Sequence, residues 1–111
     1  LHDPAKAEAL AKNELLSRAT PQTYAWYVWA LYNNNKSAEA YKYYEQYVSG
    51  KPLEGLELYY MGKFMKSLNK GYNAQQFFKK AAKNKKSKYQ ITEIKYLLFW
   101  AKQKSPDIND G

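Results

Sequence analysis

A chain of 111 residues with 45% apolar content is enough for one folded domain with a modest core. Its 18 basic residues outnumber 10 acidic ones for a formal net charge of +8, and Arg18 is the sole arginine among them. The absence of cysteine excludes disulfides, thiolate metal sites and cysteine nucleophiles, and no apolar run approaches the ~18 residues that read as a transmembrane helix.

Helix signals follow one another along the chain. Asp3-Pro4 joins an N-cap residue to a proline at the first helical position, predicting a helix to about Arg18 with Leu10, Ala11 and Leu15 on one side. Thr20-Pro21 repeats that start, and the second helix is expected to end in the turn-prone Asn33-Asn34-Asn35. Ser37 is placed to cap a third helix carrying Ala40, Tyr43, Tyr44, Tyr47 and Val48, which Gly50 and Pro52 stop. A fourth helix is predicted from about Leu53 to Leu68, with Tyr60, Met61, Phe64, Met65 and Leu68 as its apolar face. Beyond the turn at Asn69-Lys70-Gly71, Asn73 with Gln76 resembles a capping box for a fifth helix bearing Ala74, Phe77, Phe78, Ala81 and Ala82. Ser87 with Gln90 marks a last helix at 88–104, ended by Ser105-Pro106, and 106–111 reads as a loose tail. The prediction is an all-α chain of about six helices, joined by loops short enough for antiparallel pairs.

The chain also repeats itself at a spacing of 34 positions. Asn35-Lys36 maps onto Asn69-Lys70, Leu31 onto Met65, Ala40 onto Ala74, and Tyr43-Tyr44 onto Phe77-Phe78. A period of this size marks helix–turn–helix solenoids. The residues Tyr24, Tyr27-Val28, Leu31, Ala40, Tyr44 and Pro52, and again Leu58, Met61-Gly62, Met65, Ala74, Phe78 and Ala81, resemble the tetratricopeptide repeat (TPR). The Sel1-like helical repeat is a second resemblance. Val28 in place of a small residue, Tyr47 in place of the later alanine and Lys86 in place of proline depart from the TPR pattern. The resemblance implies one domain over 1–105, with repeats at about 21–54 and 55–88. It also implies an antiparallel helix-hairpin solenoid whose first helices line a concave groove that takes a peptide or a protein.

On that reading the partner-binding groove comprises Trp29, Tyr32 and Asn33 on one helix and Tyr59, Lys63 and Lys66 on another. Trp29 and Tyr32 have a plainer reading as side chains packed on the first helix around Leu10 and Leu15. In the last helix Ile91, Ile94 and Leu98 form a closing face, while Tyr96, Leu97, Phe99 and Trp100 point elsewhere. A solenoid's terminal helix is expected to be polar outside, so these four form a candidate interface, with a homodimer as one outcome. The lysines from Lys79 to Lys88 suit a helix C-terminus and a solvated loop; contact with an anionic surface is the alternative.

No catalytic set emerges. His2 stands alone at the chain start, no metal-ligand spacing or glycine-rich phosphate loop occurs, and the carboxylates are scattered. We therefore expect no enzyme activity, no cofactor, no metal and no nucleic-acid partner. The expected function is a protein–protein interaction module or scaffold within a larger assembly; a glycan-binding domain using exposed Tyr and Trp is the alternative. The chain opens on Leu1 and reads as a mature form or a piece of a longer protein. Its Lys-over-Arg usage suggests a bacterial source, with a soluble cytoplasmic or periplasmic location.

Overall fold

The computed structural model describes residues 3–83. They are helical throughout: α1 (Pro4–Ser17), α2 (Pro21–Asn33), α3 (Ser37–Tyr43) running on into a π-helical turn (Tyr44–Val48), α4 (Leu56–Ser67) and α5 (Gly71–Ala82). No strand occurs among the described residues. The helix expected at 88–104 and the tail lie outside them. The chain divides after Leu53 into two compact units, the first holding α1 to the π turn and the second beginning at Glu54.

The two proline starts work as anticipated. The Asp3 carboxylate accepts from the Lys6 amide at 3.1 Å, and Thr20 Oγ1 accepts from the Thr23 amide at 3.2 Å. Gly50 stops the π turn with φ +77°, a conformation that an L side chain resists. Two expected caps are not formed. Ser37 is the first residue of α3, with Lys36 before it at the N-cap and no side-chain bond there. Asn73 lies inside the first turn of α5, because that helix already begins at Gly71. In both cases the preceding turn sets the helix start: the N-cap carbonyl of Lys36 receives the Ala40 amide, and that of Lys70 receives the Ala74 amide.

Those turns repeat atom for atom. Asn35 and Asn69 take the left-handed conformation, at φ 62° and 59°. Asparagine tolerates it better than other side chains. The Lys36 amide donates to the Leu31 carbonyl at 2.9 Å, and the Lys70 amide to the Met65 carbonyl at 2.9 Å. Both bonds recover carbonyls that a helix end leaves without a partner.

Burial repeats too. Tyr27, Val28, Leu31, Ala40 and Tyr44 form the core of the α2–α3 hairpin, and Met61, Gly62, Met65, Ala74 and Phe78 occupy the matching places in α4–α5. Gly62 marks the closest approach: a Cβ there would lie 2.6 Å from Cδ1 and 2.9 Å from Cζ of Phe78. Only a residue without a side chain lets the ring sit that close.

Candidate functional site

Helix α1 supplies one wall of a concavity in the first unit. None of its residues is buried. Ala11 and Leu15 are half-buried, whereas Leu10 is 61% exposed and Leu16 85%. Helix α2 is its opposite, with six buried residues and an unbroken apolar run from Ala25 to Tyr32. Such a run cannot be covered on every side by one neighbour.

Between them lies a groove of about 440 Å³. Trp26, Trp29 and Asn33 line it from α2, and Ala7, Leu10 and Ala11 from α1. Positions 26, 29, 30 and 33 share one face of a helix because side chains three and four apart are neighbours. The lining is mostly apolar, with Asp3 and Lys6 at one end. A groove of this size with few polar groups suits recognition of a small apolar element.

The Trp29 ring leans on Tyr32, with centroids 5.3 Å apart and planes tilted by 37°. The Asn33 side chain donates to the Trp29 carbonyl at 3.0 Å, fixing its own position on the groove wall. Of the three residues expected in this unit, Trp29 and Asn33 line the groove and Tyr32 braces Trp29. The plainer reading of Trp29 holds in part, since α1 does face it. Trp26 was missed. Its signal was present as a second Trp three residues before Trp29, on the same helical face.

A polar tie holds α1 to the turn after α2. Glu8 accepts from the Asn34 amide at 2.7 Å and from the Lys36 ammonium at 2.9 Å. These two bonds lower the Glu8 carboxyl below its ordinary value, the Asn34 contact being the larger cause. The same carboxylate raises the Lys36 ammonium.

The other side of α2 carries a tyrosine chain. Tyr24 stacks on Tyr47 at 4.0 Å with planes 7° apart, Tyr47 neighbours Tyr43 at 6.0 Å, and Tyr43 meets Tyr27 edge-on at 5.0 Å. Burial, aided by Tyr43, pushes the Tyr27 phenol up to about 12.

In the second unit the expected groove residues are placed differently. Tyr59 is a core residue, 7% exposed, packed edge-on against Tyr60 at 5.2 Å and tilted toward Phe78 at 6.4 Å. Tyr60, expected in the core, is half-buried. Phe78 decides the choice, because its ring approaches α4 at Gly62 and draws the neighbouring Tyr59 inward. Lys63 places its ammonium 5.2 Å from the centre of the Tyr59 ring, a cation–π contact. Lys66 is half-buried in the last turn of α4. Tyr96, Leu97, Phe99 and Trp100 lie outside the described residues.

Among the described residues no group of three His, Asp or Glu side chains gathers to hold a metal, and no helix is long and apolar enough to cross a membrane. Comparison with protein-family models, with curated proteins and with solved structures returns no match.

Proposed function

We propose that this chain is a TPR-like interaction module that binds a peptide or protein partner, with the Trp26–Trp29 groove of the first unit as the binding surface. The observation that carries the reading is the groove itself. Two tryptophans three residues apart line a mostly apolar concavity beside an exposed Leu10. Aromatic side chains in desolvated pockets dominate binding energies between proteins. The 34-residue repetition of turn and core supports the helical-repeat reading, because such repeats present surfaces for partners.

The tyrosines favour this over the glycan alternative. Tyr24 and Tyr47 each cover one face of the other, which leaves less tyrosine ring surface for a sugar to stack on. The bound element is then a short segment whose apolar side chains enter between the indoles, oriented by the Asn33 amide and the charged end at Asp3 and Lys6.

A random peptide library displayed on phage, panned against the folded chain, tests this. Selected peptides should lose about 2 kcal/mol of affinity or more on Trp29→Ala, and similarly on Trp26→Ala, while the helical circular dichroism is kept. Peptides that bind both variants as well as the original chain would place the binding surface elsewhere.

A further inference from the structure

The tyrosine chain on the flank of α2 does not enter the lining of the groove. Tyr27 belongs to the core, whereas Tyr24, Tyr43 and Tyr47 are half-buried and their edges reach solvent. Tyr24 and Tyr47 lie face to face, with centroids 4.0 Å apart and planes within 7°. Carbon atoms of the two rings are then at van der Waals contact, about 3.5–4.0 Å. Tyr43 is set wider, 6.0 Å from Tyr47 with planes 25° apart, and it meets Tyr27 edge-on at 75°.

The Tyr24–Tyr47 stack is also aligned head to head. Burial first, and then the neighbouring Tyr47 phenol, hold the Tyr24 phenol above its ordinary value. The two hydroxyls thus share one end of the stack, and the ring carbons next to them face each other across it. In a phenoxyl radical the unpaired electron resides on the oxygen and on the ortho and para carbons. The para carbon of tyrosine carries Cβ, so a new bond forms at the ortho carbon, Cε. The chain contains no cysteine to quench such a radical, and both methionines, Met61 and Met65, are fully buried.

We propose that Tyr24 and Tyr47 are an oxidative cross-linking site, joined as dityrosine by hydrogen peroxide acting through a haem peroxidase. Each phenol gives up one electron and one proton. The two phenoxyl radicals combine in a single Cε–Cε bond. The hydrogen on each joined carbon then moves to the oxygen of its own ring, which restores both phenols. One peroxide takes the two electrons and two protons and leaves as two waters. Packing holds both rings in place before either radical forms, so the coupling is intramolecular and favoured over encounters between chains. The bond ties α2 to the π turn that follows α3. It constrains the unfolded chain as a disulfide does, in a protein that has no cysteine to make one.

Treatment of the whole chain, in dilute solution, with horseradish peroxidase and hydrogen peroxide tests the proposal. The monomer should gain the blue emission of dityrosine and lose the mass of two hydrogen atoms. Tryptic digestion should then yield one cross-linked pair of peptides, with tandem mass spectrometry placing the bond between Tyr24 and Tyr47. Tyr24→Phe and Tyr47→Phe should each abolish this product, and Tyr43→Phe should leave it. These changes keep the rings, and unchanged circular dichroism checks that the fold is retained. A monomer product that survives in Tyr24→Phe and Tyr47→Phe, or a bond that maps to Tyr43, overturns the proposal. So does dityrosine found solely between chains, or oxygen added to tryptophan with no loss of two hydrogens.

Discussion

The α2–α3 hairpin and the α4–α5 hairpin share a turn, a register and a set of small buried residues, yet they pack their rings differently. In the second, Gly62 lets Phe78 lie against the α4 backbone, and α5 stays a regular helix to Ala82. In the first, the matching positions hold Val28 and Tyr44, and the chain widens into a π turn where the Ser49 amide reaches back to the Tyr44 carbonyl at 2.9 Å. We attribute the wider turn to Val28. Val28 lacks the open space that Gly62 gives Phe78, and a π turn reaches one residue further back than an α-helix. Tyr47 then stacks on Tyr24 along the flank, where the second hairpin has only the small Ala81 and Leu58. Gly62 thus marks the tightly closed hairpin, and the tyrosine stack marks the other.

The sharpest way to break this comparison is to remove the ring. Phe78→Ala should destabilise the second unit by about 3–5 kcal/mol, because a fully buried aromatic leaves a cavity. Urea denaturation measures it. Next comes the glycine: Gly62→Val should cost about 1–3 kcal/mol through overpacking, and combining it with Phe78→Leu should recover part of that loss. If Gly62→Val is neutral, the close approach is not what distinguishes the two hairpins.

Much of this fold was legible in the chain. Pro4 and Pro21 mark helix starts, and Gly50 and the paired asparagines mark ends, because each has a local backbone reason to be there. What escaped depends on contacts made across the hairpin. Adjacent tyrosines at 59 and 60 satisfy helical periodicity equally well, and only Phe78 selects Tyr59 for the core. The π turn has no local signature, since Tyr44 to Val48 reads as ordinary helix. Of the site, Trp29 and Asn33 could be named from sequence, but their wall was assigned to a groove shared with α4, whereas α1 lines the other side here. The weak amphipathicity of α1 concealed that, as none of its residues is buried and Leu16 is 85% exposed.

Tyr27 sharpens the comparison through pH, since its counterpart Met61 cannot ionise. The folded chain holds the Tyr27 proton to about 12, above the ordinary phenol value of 10.0. Its stabilisation is complete below pH 10 and falls as pH rises toward 12, reaching a loss of about 2 kcal/mol there. Tyr27→Phe should flatten this alkaline decline in thermal melts. Unchanged curvature would mean that Tyr27 is not the group responsible.

The smallest expected effect is at Glu8, which ties α1 to the first turn and has no partner in the second hairpin's pattern. Its carboxyl is lowered in the folded chain, so its contribution is present above the ordinary 4.5 and is lost as pH falls through the lower folded value. Glu8→Gln should remove that acid dependence with little change at neutral pH, as exposed ion pairs contribute little. Amide exchange in α1 reads it out, and an acid profile identical to that of the original chain would contradict the tie.

The groove is the central claim, and the indole signals test it most directly. The chain has three tryptophans, so three indole N–H resonances are available by nuclear magnetic resonance. When a library-selected peptide is titrated in, those of Trp26 and Trp29 should shift together and saturate at the affinity measured independently. If the peptide binds and both resonances stay where they were, the surface between α1 and α2 is not the binding site.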